Sequence, residues 1–584
     1  MAHLLSIHAV PSPRRLGVLA AAGALSLALV GAFASSAGAQ PSTTSAGSTT
    51  SPTYGALHAA TVATPAALPR VSAASRTAAR HALPVLHPTT RSAATYASSA
   101  APHAAGTPLA SHTGALPSNF EGITAAQNKR VSGFDLEPPD EGLGASRSYV
   151  VNFVNVAGAV YDTHGKRLAG PFYLNTFFGE PAAANTSDPR VYYDSSSSRW
   201  FATILEYAFT SKGSVSESHV AIAVSSSSNP TKPWRVFRLN TTNRSHFSCP
   251  CLADYPILGF DRYNVYVSTN EFTKALNAFN GSQLYAVSKS QLIHRPAKAN
   301  YVLFPNLSQA GTLAYHVQPA VTYGNPGVEY LLSSLDPNGT FDNRLGVWAV
   351  RNPQAVTTGR GRPTLSSTVI RSEAYGQPPN AVTPPGYCPG SDCNGGKGAP
   401  TTGVVQTDFD AMQEVQYING HLVGALNTAL TVPGDTGERA GVAYFDVAPK
   451  MSGGIVSTAS RVRSQGYLAA NGQYLLYPHL NRLSNGSTVL TFGLGGPATY
   501  LSAGYAVMGA RSHSFGPIRL AAAGTGPDNG FTGTQEYGGA ARWGDYSGGQ
   551  IIPGTNRVWL ATQYIPNNGD GNANWSNRIF EVAG

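Results

Sequence analysis

One motif recurs along the chain and constrains its fold more than any other feature. "DPRVYYDSSSSRWFATILEY", from Asp188, reads as a strand, a tight turn and a second strand. Related hairpins are "DEGLGASRSYVVNFVN" from Asp140, "DYPILGFDRYNVYVSTNEF" from Asp254 and "QPAVTYGNPGVEYLLSSLD" from Gln318. Three more follow: "DAMQEVQYINGHLVGALN" from Asp410, "HLNRLSNGSTVLTFGL" from His479 and "DYSGGQIIPGTNRVWLATQ" from Asp545. Each joins an apolar stretch, a turn of Gly, Asn, Asp or Ser type, and a β-branched or aromatic strand. The second strands are marked by Val150, Phe201, Val265, Tyr330, Leu422, Val489 and Val558, at intervals of 51, 64, 65, 92, 67 and 69 residues.

Each interval leaves room for two more strands, such as "HVAIAVSSSS" and "KPWRVFRLN" after the second hairpin. The pattern predicts an all-β fold, a seven-bladed β-propeller of mostly four-stranded blades over residues 119–584. Two stacked β-sandwiches are the alternative. The longest interval contains "QPPNAVTPPGYCPGSDCNGGKGAP", expected to lie as a loop over one face.

The N-terminus has a different composition. Arg14 and Arg15 precede an apolar run from Leu16 to Phe33, and "AGA" at Ala37 to Ala39 offers a cleavage site, so residues 1–39 read as a signal peptide. An uncleaved anchor is the other reading. Residues 40–118 are mostly Ala, Ser, Thr, Pro and Gly with scattered His and without a single acid, and read as a disordered stalk. The formal charge of +9 includes six arginines before residue 119, leaving +3 for the rest. A nucleic-acid groove is therefore not expected. The expected protein is secreted or held at the cell surface, is monomeric, and makes no membrane contact after signal cleavage.

Cys249 and Cys251 lie in "SCPCLADYP", and Cys388 and Cys393 in "GYCPGSDCNGG". In an exported chain these are expected to be disulfides, with the pairing open. Closing Cys388 to Cys393 is easy across a Pro-Gly loop. Closing Cys249 to Cys251 spans one residue, so bridges between the two pairs stay open as well.

In a propeller, the start of each first strand and the end of each second strand share a face. That places Asp140, Asp188, Asp254, Gln318, Asp410 (with Asp408), His479 and Asp545 on one rim. With them come Asn155, Glu206, Asn270, Glu271, Asp336, Asn427 and Gln563; Leu494 breaks the set. A turn-capping role for each Asp is the plainer alternative. Arg190 and Arg542 are expected to compensate the acids, and Arg199 to pair with Asp194. Tyr255, Tyr477, Trp543 and Tyr546 are expected to offer exposed ring faces at the rim. Carboxylates, arginines and aromatic faces suit a glycan or a cell-envelope polymer.

Three functions follow. The first is a rim that binds a polyhydroxylated ligand through Asp140, Arg190, Tyr255, Tyr477, His479, Arg542, Trp543 and Tyr546. The second is a glycan hydrolase or lyase drawing on Asp188, Asp254, Asp410, Asp545, Glu206 or Glu271. The third is a structural propeller stabilised by a cation, Ca²⁺ by its oxygen ligands, held by Asp188, Asp254 and Asp545. No nucleophile triad, phosphate loop, dinucleotide fingerprint or haem-attachment motif is present.

The segments "GASRSYVVNFVNVAGAVYDTHGKRLAGPFYLNTFF", "SDPRVYYDSSSSRWF", "DYPILGFDRYNVYVSTNEF" and "RWGDYS" resemble a set of secreted bacterial β-propeller proteins, loosely grouped as sialidase-like and mostly uncharacterised. The resemblance spans about residues 135 to 575 and implies an extracellular propeller without a particular activity. The repeated S-x-D-x-G-x-T-W boxes of true sialidases are absent, and their arginine clamp and Tyr/Glu pair have no assignable counterpart. No catalytic residue is carried over.

Overall fold

The computed structural model describes residues 49–68, 81–82, 100–110, 115–295, 297–335, 341–390, 393, 395–566 and 572–584. The expected signal segment and Asp336 lie outside them. The described fold is all-β. Its longest helix, Ala125–Ser132, is capped by Thr124, whose hydroxyl accepts from the Gln127 N–H, and ends at Gly133 with φ 89°.

The antiparallel runs are numbered as seven consecutive units; some join into larger sheets, as where Val321–Tyr323 runs parallel both to Leu252–Phe260 and to Gln416–Ile418. Unit 1 runs Gly142–Ala145, Tyr149–Val154, Ala157–Asp162 and Arg167–Tyr173. Unit 2 runs Asn185–Asp194, Arg199–Phe209, Val215–Ser225 and Trp234–Asn240. Unit 3 runs Leu252–Phe260, Asn264–Phe272, Phe279–Ser288 and Lys298–Gln309. Unit 4 has a short first strand, Gln318–Pro319, then Val328–Ser334, Asp342–Arg351 and Thr364–Tyr375. Unit 5 is Gln416–Ile418, His421–Thr431, Glu438–Ala448 and Arg461–Leu468. Unit 6 is Tyr474–Arg482, Thr488–Gly496, Thr499–Met508 and Arg519–Ala522. Unit 7 takes Gly548–Ile551, Arg557–Tyr564 and Ser576–Ala583 from the C-terminus and its fourth strand, Ser118–Thr124, from the N-terminal side. All seven marker residues fall in second strands.

The core explains the hydrophobic character of these strands. Each pair of neighbouring units encloses its own apolar cluster. Phe153, Trp200 and Trp234 pack between units 1 and 2, and Phe201, Phe237 and Val265 between units 2 and 3. The succession continues through units 3 to 7. It returns at Val150, Tyr161 and Trp559, between units 7 and 1. First strands of units 7 and 1 also touch, as do those of units 1 and 2. Burying one such large side chain stabilises the fold by about 1.5–3 kcal/mol.

The N-terminal stalk is corrected in part. Thr53–Ala63 is an 11-residue strand, antiparallel both to Trp234–Asn240 and to Lys298–Gln309. It fills the gap between the last strands of units 2 and 3. Only Leu57 and Ala63 along it are buried, so backbone hydrogen bonds hold it more than side chains do. Further on, His103, Gly106 and Leu109 bridge to Thr431, Ala469 and Ile518. The cysteines pair within each motif, Cys249 with Cys251 and Cys388 with Cys393.

Candidate functional site

The site is built on a repeated backbone irregularity. The first strands of units 2, 3 and 6 each shift register, between Ser187 and Arg190, Asp254 and Ile257, and Leu476 and His479. In each, a residue followed by proline takes a left-handed φ: Asp188 at 56°, Tyr255 at 55° and Tyr477 at 51°. Asp140, His316 and Asp408, none followed by proline, also take a left-handed φ in the segments leading to units 1, 4 and 5. Such a conformation costs a non-glycine residue about 1–3 kcal/mol and needs local support. Asparagines supply it: Asn155, Asn270 and Asn427 accept through Oδ1 from the N–H of Asp188 (2.8 Å), His316 (3.1 Å) and Tyr477 (2.7 Å) in the next unit. These three asparagines are inter-unit pegs rather than ligand contacts.

This geometry corrects the expected ring. Asp140 and Asp188 occupy the left-handed position, Asp254 precedes it, and Gln318, Asp410 and His479 come two residues after it. The seven side chains do not share one register.

Five carboxyls nevertheless converge, with Asp545 at the centre. Its N–H donates to Asp140 Oδ1 (2.8 Å), and its carbonyl accepts from the Tyr255 hydroxyl (2.8 Å). Its carboxylate is held 2.9 Å from an Arg542 nitrogen. Asp188 Oδ2 accepts from the Tyr255 N–H at 3.1 Å. Burial, then the charges of Asp545 and Asp188, push the Asp140 carboxyl well above the usual range. Burial, then Asp188 and Asp545, do the same to Asp254, and burial, then Asp545, to Asp408. Burial, reinforced by Asp545, raises Asp188 to about 6. Asp140 and Asp188 are buried, whereas Asp254, Asp408 and Asp545 keep partial exposure. The face thus gathers carboxyls that hold their protons more tightly than usual around Asp545, which is paired with Arg542.

Arg190 compensates Asp188 only through its charge, which works against the rise of the Asp188 carboxyl. Its guanidinium forms an ion pair with buried Glu414, which also accepts from the Tyr192 hydroxyl. It lies 3.2 Å from the Tyr546 ring centre and 5.1 Å from that of Tyr255. His316, which no motif marks, is fully buried with neither ring nitrogen bonded; it stacks on Tyr315 at 4.5 Å and approaches Tyr255 to 4.1 Å. Burial, then Arg190, holds its pKa well below the ordinary value, so the ring is neutral.

The remaining expected site residues separate. Tyr255, Tyr477, Trp543 and Tyr546 are all buried, so they offer no exposed stacking faces. Trp543 and Tyr477 belong to the core between units 7 and 1. His479 is buried, its Nδ1 3.0 Å from the Ser547 carbonyl, and burial lowers its pKa to about 4. Glu206 lies towards Glu180 and His219. Glu271 bonds to Asn243 and His246. Asp410 is buried within charge range of Tyr375. Gln318 donates to the Met412 carbonyl, and Gln563 to that of Trp543. Leu494 is core. Asp194 pairs with Lys289, while Arg199 donates to the carbonyls of Ser197 and Ser198.

The long loop of the fourth interval covers this face, as its length predicts. Its hairpins Ala381–Val382 with Val404–Val405, and Tyr387–Cys388 with Ala399–Pro400, dock through Thr401 and Val405 onto Thr534 and Ala541. The Gln406 carbonyl accepts from the Tyr477 hydroxyl (2.9 Å), and its side-chain oxygen lies 3.4 Å from Arg542. Among the described residues, no three acids bring ligand oxygens within 4.8 Å of one another. Asp188, Asp254 and Asp545 therefore sense one another's charge without forming a ready chelate. No helix among the described residues is long and apolar enough to cross a membrane.

No family model and no curated protein matches the chain. Among solved structures, it is similar to Trypanosoma rangeli sialidase in complex with the inhibitor DANA, at 9% identity and a TM-score of 0.31, over 72% of this chain and 57% of that one. The GH93 alpha-L-arabinofuranosidase of Fusarium graminearum in complex with arabinobiose gives 10% identity and 0.32, over 80% and 98%. The alpha-L-arabinanase of Cellvibrio cellulosa complexed with arabinohexaose gives 9% and 0.27, over 65% and 94%. The chain spans little more than half the length of the sialidase. At these scores the reading of the site rests on its own geometry.

Proposed function

We propose that the seven units are the blades of one propeller, exported from the cell, whose acid face binds a polyhydroxylated ligand of the glycan class. The observation that carries this is the convergence of buried or half-buried carboxyls on Asp545, which itself pairs with Arg542. A sugar hydroxyl both donates and accepts. Asp254 and Asp408, raised by burial and neighbouring charge, can donate; Asp545, paired with Arg542, accepts. The two kinds of partner lie together on a half-buried surface, and Gln406 and Arg542 add fixed polar groups. Binding relies on these groups, because the nearby aromatic rings are buried.

One observation favours a second reading, glycan cleavage. A carboxyl held well above the usual range, Asp254 or Asp408, beside the Arg542-paired Asp545 is the kind of pair that acid–base cleavage of a glycosidic bond requires. In that case Asp254 or Asp408 is the acid and Asp545 the base or nucleophile.

Both readings are tested by titrating a panel of cell-envelope polysaccharides into the protein and its Asp545→Asn variant, with released reducing ends followed in parallel. Saturable binding by the wild type and its loss in the variant supports the face. Reducing ends released by the wild type alone select the enzyme. Equal binding by both proteins refutes the assignment.

A further inference from the structure

A second group of chemically capable side chains lies in the loop between units 2 and 3, next to the acid face, where Glu271 pairs across the strands with Ala253 beside Asp254. Cys249 and Cys251 close a disulfide across a single residue. His246 precedes them, and its Nδ1 lies 2.9 Å from an oxygen of Glu271, which is wholly buried in the second strand of unit 3. Ligand atoms of His246, Cys249 and Glu271 lie within 4.8 Å of one another. Asn280 Nδ2 is 3.7 Å from the Cys249 sulfur and 3.4 Å from that of Cys251, and Asn243 donates to the other Glu271 oxygen at 2.7 Å. Cys249 and His246 are half-buried, so solvent reaches them, while Cys251 is enclosed.

Bonded to each other, the two sulfurs are poor metal ligands; as thiolates they are strong ones. Two thiolates, an imidazole and a carboxylate are a donor set that Zn²⁺ accepts in tetrahedral geometry. We propose that reduction of Cys249–Cys251 by a dithiol opens a four-ligand site for a divalent cation of the zinc type, formed by Cys249, Cys251, His246 and Glu271. A thiolate of the reductant attacks the accessible Cys249 sulfur, the S–S bond breaks, and Cys251 leaves as a thiolate. The second thiol of the reductant then attacks the mixed disulfide and releases Cys249. The dithiol ends as its own disulfide, and the protein's two sulfurs hold the two electrons. Metal entry displaces the thiol protons. The outer partners are already in place, since Asn280 faces both sulfurs and Asn243 orients Glu271. Cys388–Cys393 is a built-in control: its described polar neighbour is Asn572, and no described His or acid completes a ligand group there.

The test uses the full chain, reduced with dithiothreitol, freed of it without oxygen, and titrated with Co²⁺ as the probe. The reduced protein is expected to take up one equivalent with thiolate-to-cobalt charge-transfer absorption, which Zn²⁺ then abolishes. The oxidised protein is expected to show none. His246→Ala should weaken binding at least about tenfold, since even outer partners of a metal site give such losses. C249S/C251S should remove the band, and C388S/C393S should keep it. No band in the reduced wild type, a band that survives C249S/C251S, or unchanged affinity in His246→Ala overturns the proposal.

Discussion

Asp188→Asn probes the acid cluster where its protonation is best defined. The folded state raises this carboxyl from 3.8 to about 6. The folded protein therefore holds the proton more tightly than the unfolded chain, and stability falls as pH rises from about 4 to about 6. Above that window the ionised carboxylate costs about 3 kcal/mol, since each pKa unit is worth about 1.4 kcal/mol. Asp188 is buried, so solvent screens little of this. An asparagine keeps an oxygen to accept from the Tyr255 N–H, which Asp188 Oδ2 now does at 3.1 Å, but carries no charge. The substitution should stabilise the protein by up to about 3 kcal/mol at pH 7.5 and by less than about 1 kcal/mol at pH 4. With an unfolding entropy of about 2 cal/mol/K per residue, the domain from residue 118 onward gives about 1 kcal/mol/K, so the melting temperature should rise about 3 °C at pH 7.5. Thermal unfolding of both proteins at the two pH values is the assay. A loss of stability in the variant of similar size at both values refutes the argument from buried charge.

Glu414→Gln leaves Arg190 charged and buried without its ion pair; urea unfolding should show a loss of about 3–5 kcal/mol, and a loss below about 1 kcal/mol contradicts the pairing. Asn427→Ala removes the acceptor for the Tyr477 N–H and the donor to the Leu475 carbonyl, and should cost about 1–3 kcal/mol in the same assay. Removing residues 1–63 takes away the strand shared by units 2 and 3. Light scattering should then detect self-association through the two bared edges, and a strictly monomeric product would show that they are protected by other means.

The repeating hairpin was legible because alternating apolar strands and Gly or Asn turns mark every unit, and each of the seven marker residues from Val150 to Val558 falls in a second strand. The register of the site was not. Aligning Asp254 with Asp188 misses the bulge, although "DPR", "YPI" and "YPH" carry a signal for it: a residue before proline at Asp188, Tyr255 and Tyr477. Sequence cannot tell a ring exposed to ligand from one packed in the core between units 7 and 1, as Trp543 is. Thr53–Ala63 looks like linker because its side chains are small and few are buried; its pairing comes from two edges made hundreds of residues of chain later or nearly so. His316 and Glu414 have no local signature, because their partners come from other units.

The most direct test of the central claim is the affinity of the wild-type protein for its polysaccharide ligand as a function of pH. If Asp254 and Asp408, held well above the usual carboxyl range, donate to sugar hydroxyls beside the Arg542-paired Asp545, binding should be tight at pH 5 and weaken as rising pH removes those protons. It should weaken by about fivefold or more at pH 8, since a neutral hydrogen bond is worth about 1 kcal/mol. Calorimetry should also register protons taken up on binding at the higher pH. An affinity that is the same at pH 5 and pH 8, with no proton uptake, would contradict the account.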